Sequence, residues 1–118
     1  MIRIYLDDLR PTPTHLAVDR YNGAVPRTYT HRCYTAAEAM LLLATGQVEF
    51  ISFDHDLGPE TAGTGYDVAR YIEEMVHEGI IPCPEWDVHS SNPVGARNIN
   101  AAMRAAASWD ERLNRSEA

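Results

Sequence analysis

The order of apolar and polar runs along the chain predicts an α/β domain. Strand-like runs at residues 2–6, 48–53 and 86–89 alternate with stretches whose apolar residues repeat at helical spacing, and this alternation favours a parallel sheet. The run at 48–53 is apolar almost throughout, which is typical of a central strand buried on both faces. Residues 27–33 alternate polar and bulky side chains and predict a weaker edge strand.

Three helices are predicted between and after these strands. Thr35 and Glu38 have the spacing of a capping box, so the first helix begins there. The second lies between a glycine-rich loop that ends at Gly65 and a stop at Gly79. The third begins at Asn92-Pro93, because asparagine is a preferred N-cap and proline fits the first helical turn.

The remaining segments are predicted to be irregular. Residues 9–26 contain three prolines and the turn pair Asn22-Gly23, which leaves room for at most a short helix around His15 to Arg20. The polar residues from about Ser108 predict a frayed C-terminus. With 118 residues, the chain is expected to form one domain, 1–118, around one core.

Charge and cysteine content narrow the classes of function. A net charge of −7 disfavours binding to a long nucleic-acid duplex, which needs many Lys and Arg, but it permits binding to one nucleotide or one strand end. Cys33 and Cys83 fit neither a zinc knuckle nor a disulfide scaffold and are expected to be buried as small apolar residues. With no run of membrane-spanning length and no signal-like N-terminus, we expect a cytoplasmic protein without membrane partners.

Three predicted strands end in polar, titratable residues. The first is followed by Asp7-Asp8, the central one by Asp54-His55-Asp56, and the last by residues 89–92, which read His-Ser-Ser-Asn. In an open parallel sheet, ligands bind outside the carboxyl ends of the strands, so we expect these three ends to form one site.

Carboxylates at two neighbouring strand ends predict a cation site. Asp7, Asp8 and Asp54 offer the hard oxygen ligands that Mg²⁺ or another divalent metal prefers. The structural alternative is that Asp7 and Asp8 only cap a turn or pair with Arg10.

The two histidines at the strand ends are candidates for proton transfer. His55 lies between Asp54 and Asp56, which would favour its protonated form. His89 is the candidate partner base or a phosphate ligand. A surface imidazole, a structural hydrogen bond and a transition-metal site are the alternatives.

The start of the third helix is a candidate phosphate site. Asn92 and the following amides offer the positive end of a helix dipole, Arg97 lies in the next turn, and Ser90 and Ser91 carry hydroxyls. Asn92 as a simple cap and Arg97 as a solvated side chain are equally good readings of this segment. Tyr66 is a candidate for stacking on a base, although a packing role suits it better.

The acid pair after the first strand, the helix opened by Thr35 and the strand-end Asp54 together resemble the receiver domain of two-component signalling. The resemblance implies a truncated, flavodoxin-like, three-layer sandwich of about four mostly parallel strands in the order 2-1-3-4, flanked by helices. It also implies that Asp7 and Asp8 bind magnesium, that Asp54 accepts a phosphoryl group and that Ser90 or Ser91 senses it. We expect no fifth strand among these residues, and therefore not the lysine that receivers place there, for which Arg97 would be the substitute.

Two motifs depart from ordinary receivers, namely the Asp-His-Asp run at 54–56 and the Val-His-Ser-Ser-Asn-Pro segment at 88–93. Together with the Leu-Asp-Asp-Leu-Arg-Pro segment at 6–11 and the Gly-Tyr-Asp segment at 65–67, they look like the cyclic-phosphate processing receiver domain. That resemblance implies chemistry on nucleotides or RNA ends, and an association with RNA repair and with conflict systems, including those of phages.

These observations lead to one preferred hypothesis and two rivals. The preferred one is a metal-dependent phosphoesterase acting on a 2′,3′-cyclic RNA end or a cyclic nucleotide. In it Asp7, Asp8 and Asp54 bind the metal and His55 and His89 transfer protons. Asp56 orients His55, and Arg10 contacts the substrate. The first rival is a signalling receiver phosphorylated on Asp54, and the second is a protein that sequesters a cyclic nucleotide without cleaving it.

Overall fold

The computed structural model describes residues 1–16 and 26–117, with side chains as far as Asp110. Its elements, in chain order, are β1 (Ile2–Leu6), β2 (His31–Cys33), α1 (Ala36–Leu43), β3 (Val48–Phe53), a 3₁₀ turn (Glu60–Ala62), α2 (Gly65–His77), β4 (Glu85–Val88) and α3 (Pro93–Glu117). No helix in these ranges is both long enough and apolar enough to cross a membrane.

The four strands form one open sheet in the order β2-β1-β3-β4, and all neighbouring strands are parallel. The predicted order 2-1-3-4 is therefore confirmed. Leu6 lies beside both Cys33 and Phe53, and Phe53 lies beside Val88, so the four strands end at nearly the same level. This alignment brings the polar residues that follow the strands to one edge of the sheet.

One face of the sheet forms the main core with the three helices. Ile4, Ile51 and Phe53 are fully buried there, together with apolar residues of the helices, among them Val68 and Ile99. Helix α2 begins with the capping box of Thr64 and Asp67, and helix α1 is capped by Thr35, whose side chain accepts from the amide of Glu38. Loss of a core aromatic such as Phe53 would cost about 3–5 kcal/mol.

The other face carries a smaller aromatic and polar cluster. Tyr5, Phe50 and Ser52 are buried on this face, because successive residues of a strand point to opposite sides. The ring of Tyr29 packs edge-on against Tyr5 and Phe50, with centroids 5.2 and 6.1 Å apart. The segment between β1 and β2 therefore helps to cover this face.

Three predicted boundaries need correction. Residues 27–30 are not a strand. Tyr29 packs on the sheet face instead, and Thr30 exchanges hydrogen bonds with Arg3 through its amide and hydroxyl. The last strand is Glu85–Val88, one residue earlier than predicted.

Of the short helix proposed around His15 to Arg20, residues 15 and 16 are not helical, and 17–20 lie outside the described residues, as does the Asn22-Gly23 turn. The backbone of α3 is helical to Glu117, and fraying from about Ser108 stays a prediction.

Candidate functional site

The sheet ladder itself continues into the site. The amides of Asp7, Asp54 and His89 each donate to the carbonyl of the last residue of an adjacent strand, β2, β1 and β3 respectively, at 3.1, 2.9 and 2.9 Å. Three of the predicted site residues are thereby held in register with the strands. Their relative positions depend on sheet pairing and not on local loop structure.

Asp7, Asp8 and Asp54 form a cluster at this edge. One carboxylate oxygen from each lies within 4.8 Å of the others. Asp7 is fully buried, while Asp8 and Asp54 are partly exposed. The loop after β3 passes close by, since Gly58 has a φ of 98° and a Cβ there would lie 3.2 Å from Oδ2 of Asp8. The cluster is thus open to solvent through Asp8 and Asp54.

Asp7 is held by hydrogen bonds to both of its oxygens. Oδ1 accepts from the amides of Leu9 and Arg10 at 2.8 and 2.9 Å, and Oδ2 accepts from Nε2 of His89 at 2.9 Å. Burial raises the pKa of Asp7, but these donors together outweigh it and hold the pKa below its usual value. Asp7 is therefore an ionised, oriented carboxylate.

Asp54 is the carboxylate with the opposite shift. Burial raises its pKa above the usual value, and the negative charge of Asp7 adds to the rise. Its Oδ1 accepts from the amide of His55 at 2.9 Å, which only partly offsets these effects. Burial and the charge of Asp7 therefore disfavour the ionised form of Asp54.

His89 uses both ring nitrogens within the protein. Nε2 bonds to Asp7, and Nδ1 lies 2.7 Å from the hydroxyl of Ser52. The ring stacks on Tyr5 at 4.5 Å, with an interplanar angle of 9°. Arg10 donates a hydrogen bond to the carbonyl of His89, and its guanidinium lies 3.9 Å from Oδ2 of Asp7.

His55 is paired differently. Its Nδ1 donates to Oδ1 of Asp56 at 2.9 Å, and this bond, ahead of the adjacent charge, lowers the pKa of Asp56. The side chain of Asn92 lies 3.5 Å from Nδ1 of His55 and makes a smaller contribution to the lowered pKa of Asp56. Among the described residues, Nε2 of His55 has no hydrogen-bond partner. A carboxylate that orients one ring nitrogen and leaves the other available is an arrangement used for proton transfer.

The imidazole of His55 lies directly on helix α3. A Cβ placed on Gly95 would lie 2.5 Å from Cδ2 of His55 and 2.9 Å from its Cβ. Helix α2 comes equally close at its start, where a Cβ on Gly65 would overlap the carbonyl oxygen of Asp54. Two glycines therefore allow two helices to approach the end of β3.

A model of the cyclic-phosphate processing receiver domain matches residues 2–105 of the chain. The chain belongs to this family. Comparisons with curated proteins and with solved structures give no significant match. The family description agrees with the resemblance seen in the sequence, and it connects this receiver fold with cyclic-phosphate processing.

In this receiver domain, the start of α3 has few free amides. Oδ1 of Asn92 accepts from the amide of Gly95 at 3.0 Å, and its carbonyl accepts from the amide of Ala96 at 2.9 Å, so Asn92 is the helix cap. Pro93 has no amide proton. Val94 is therefore the residue of the first turn whose amide remains for a bound anion.

The other predicted phosphate and substrate residues lie around this edge with fewer contacts. The hydroxyl of Ser90 accepts from the amide of Asn92 at 3.1 Å, while Ser91 is exposed. Arg97 is exposed on the second turn of α3 and forms no ion pair with a described residue. Tyr66 is partly buried at the start of α2, with its ring 5.8 Å from the guanidinium of Arg70. Their roles toward a ligand stay predictions.

Sequence reasoning missed the residues that support the site from the second face. Ser52 lies within hydrogen-bond distance of His89, Tyr5 stacks on His89, and Tyr29 packs against Tyr5. Arg32 packs its guanidinium over Tyr5, and its Nε donates to the carbonyl of Asp7. One signal was available, because Ser52 interrupts an otherwise apolar run and a buried hydroxyl requires a partner. The partner, 37 residues away, could not be found from spacing.

Proposed function

We propose that this domain is a metal-dependent phosphoesterase that opens a cyclic phosphate on a nucleotide or an RNA end. The observation that carries the proposal is the position of the cluster Asp7, Asp8 and Asp54 beside a paired His55 and Asp56. Membership of a family described as processing cyclic phosphates supports the substrate class.

The acidic cluster fits a hard divalent cation such as Mg²⁺. Its donors are three carboxylates from two neighbouring strand ends, with oxygens within 4.8 Å, and one of them has a pKa raised by burial and by a neighbouring carboxylate. Oδ1 of Asp7 already accepts two hydrogen bonds, whereas Oδ2 accepts one and keeps a lone pair for a cation. When bound, such an ion supplies charge neutralisation at the phosphate and polarises it.

Proton transfer is assigned to His55. Asp56 holds its Nδ1 proton, so Nε2 is available to take a proton from water or to give one to the leaving ribose oxygen. Asn92, which caps α3, also interacts with Asp56, and the ring of His55 packs against Gly95 of the same helix. His89 has both ring nitrogens occupied and is less suited to that task.

Phosphate oxygens would be held by positive groups around the cluster. Arg10 lies between Asp7 and His89, with about half of its side chain exposed. The amide of Val94, the hydroxyl of Ser91 and the guanidinium of Arg97 lie on the α3 side and complete the set. A guanidinium can bind two phosphate oxygens at once, which favours the arginines as the main anchors.

The test is a panel of 2′,3′-cyclic and 3′,5′-cyclic nucleotides and an RNA with a 2′,3′-cyclic end, each with Mg²⁺, Mn²⁺ or chelator. We expect metal-dependent opening of at least one substrate. His55→Ala should lower the rate about 100-fold or more, as is typical of loss of a general acid or base. Asp54→Asn should abolish the metal-dependent activity. His15→Ala, which changes an exposed histidine outside the site, is the matched control.

Two outcomes would replace the proposal. If no substrate is opened but a cyclic nucleotide is recovered intact after denaturation, and binding survives His55→Ala, the domain sequesters its ligand. If a small phosphodonor and Mg²⁺ leave a stable acyl phosphate on Asp54, the domain is a signalling receiver.

A further inference from the structure

A chain of hydrogen bonds runs from the second face of the sheet to the acidic cluster. The hydroxyl of Ser52 lies 2.7 Å from Nδ1 of His89, and Nε2 of His89 lies 2.9 Å from Oδ2 of Asp7. Tyr29 lies beside the start of this chain: burial raises the pKa of its hydroxyl, and an interaction with Ser52 partly offsets that rise. Every buried side-chain nitrogen or oxygen in the described part of the protein has a partner, so the chain ends without an unsatisfied group.

The chemistry of the last bond fixes one proton. A carboxylate can only accept, so the nitrogen that faces Asp7 must carry hydrogen, and that nitrogen is Nε2 of His89. Rotating the ring by 180° would replace Nδ1 by Cδ2 and Nε2 by Cε1, which would break the bonds to both Ser52 and Asp7. The bond to Ser52 therefore helps to hold Nε2 toward Asp7.

The ring has little freedom to leave this position. Tyr5 stacks on the imidazole at 4.5 Å. The backbone amide of His89 is bonded to the end of β3, and the carbonyl of His89 accepts from Arg10. Tyr29 packs edge-on against Tyr5 and so supports the stack as well as the hydrogen-bond chain. The imidazole is fixed from its face, its edge and its backbone.

The order Ser, His, Asp resembles a nucleophilic triad, but the arrangement cannot serve as one. Ser52, the second-to-last residue of β3, is 1% exposed, so its hydroxyl cannot reach a substrate. The other end of the chain is Asp7, which is itself buried but belongs to the cluster with the more exposed Asp8 and Asp54. The hydrogen bonds therefore hold a carboxylate of the cluster and do not activate a serine nucleophile.

We propose that Ser52 and Tyr29 are positioning residues, which hold His89 as an Nε2–H donor to Asp7 and thereby orient that carboxylate for cation binding. The inference rests on the proposed function only in that the cluster binds a cation. His89 is then a supporting group of the metal site and not its base. Groups of this kind are worth about 10- to 100-fold in metal affinity in other proteins.

The first experiment observes the imidazole directly. In ¹⁵N-labelled, metal-free protein, long-range ¹H–¹⁵N spectra should show Nε2 of His89 protonated and Nδ1 bonded to a hydroxyl. Tyr29→Phe keeps the ring that packs on Tyr5, and Ser52→Ala removes the direct partner. Both should leave Nε2 in fast exchange with water, with the larger effect from Ser52→Ala. Ser108→Ala, an exposed serine of α3, should change nothing.

The second experiment measures Mn²⁺ and Mg²⁺ affinity by titration calorimetry on the same proteins. We expect Ser52→Ala to weaken binding about 10- to 100-fold and Tyr29→Phe to weaken it less. An unprotonated Nε2 in the wild type, or unchanged affinity in a folded Ser52→Ala protein, would overturn the inference. If Ser52→Ala does not fold, Tyr29→Phe decides. If the wild type binds no divalent cation, the proposed function fails, while the spectra still judge the hydrogen-bond chain.

Discussion

The contact between Gly95 and His55 yields the sharpest prediction on stability. Replacing a helical glycine by alanine normally stabilises a protein by about 1 kcal/mol, because glycine has the higher backbone entropy to lose. At Gly95 the added methyl would lie 2.5 Å from Cδ2 of His55, which no real pair of carbons tolerates. Overpacking of this kind costs about 1–3 kcal/mol. The net effect of Gly95→Ala in the wild type is thus a loss of about 0–2 kcal/mol.

The sign should reverse when the whole side chain of His55 is removed. A His55→Gly background lacks the ring and also the Cβ that would lie 2.9 Å from the added methyl, so Gly95→Ala should stabilise that protein by about 1 kcal/mol. The coupling between the two positions is then about 1–3 kcal/mol, the full cost of the overlap. Urea unfolding of the four proteins, followed by far-ultraviolet circular dichroism, measures it.

Gly65→Ala provides the matched control. Its methyl would overlap the backbone carbonyl of Asp54, which remains whatever residue stands at position 55. We expect this substitution to destabilise both backgrounds equally. Gly95→Ala with the same sign and size in both backgrounds would refute the packing of His55 on α3.

Three further predictions concern ionisable groups. Burial raises the pKa of Cys33 to about 11 and that of Cys83 to about 12, so neither thiol should react with Ellman's reagent at pH 8 until urea unfolds the protein. Burial raises the pKa of Glu49, but Arg3 and Arg27 outweigh burial and hold that pKa below the usual 4.5. This carboxylate should therefore add about 1 kcal/mol of stability at neutral pH. That contribution should disappear as the pH falls through the lowered pKa, and equal pH dependence of wild type and Glu49→Gln in urea unfolding would contradict it. Asp54→Asn should raise the melting temperature of the metal-free protein, because it removes a charge that burial and Asp7 disfavour, and should reduce the rise caused by Mg²⁺. A lower metal-free melting temperature would argue against that electrostatic reading.

Long apolar runs made the sheet predictable. The run at 48–53 has the composition of a doubly buried strand, and the alternation of strands with helices left few possible orders. The edge strand was overestimated because bulky residues near 27–30 serve other contacts. Tyr29 packs on the second face, and Arg27 pairs with Glu49 and Glu85 across the strands. Alternation of polar and bulky residues indicates which side chains are covered, and at residues 27–30 they are covered by these contacts without strand pairing.

The candidate site was predictable where it depends on strand ends. Acids that follow apolar runs must meet at one edge of a parallel sheet, and so Asp7, Asp8 and Asp54 could be grouped from the sequence. The different environments of the two histidines could not be predicted from the sequence, because they depend on which side chains of neighbouring strands face each other. Pairing of Ser52 with His89 follows from the register of β3 against β4, which a single sequence does not reveal.

The ladder that ends in Asp7, Asp54 and His89 has a practical consequence for protein engineering. Each of these amides is bonded to the last residue of an adjacent strand, so inserting one residue near the carboxyl end of a strand would displace a functional side chain by a full step. The turns at Gly46 and Gly79 follow helices and precede the next strands, where added Cβ atoms meet nothing within 4 Å. Fusion tags, affinity epitopes and new chain termini for circular permutation are best placed at these two turns.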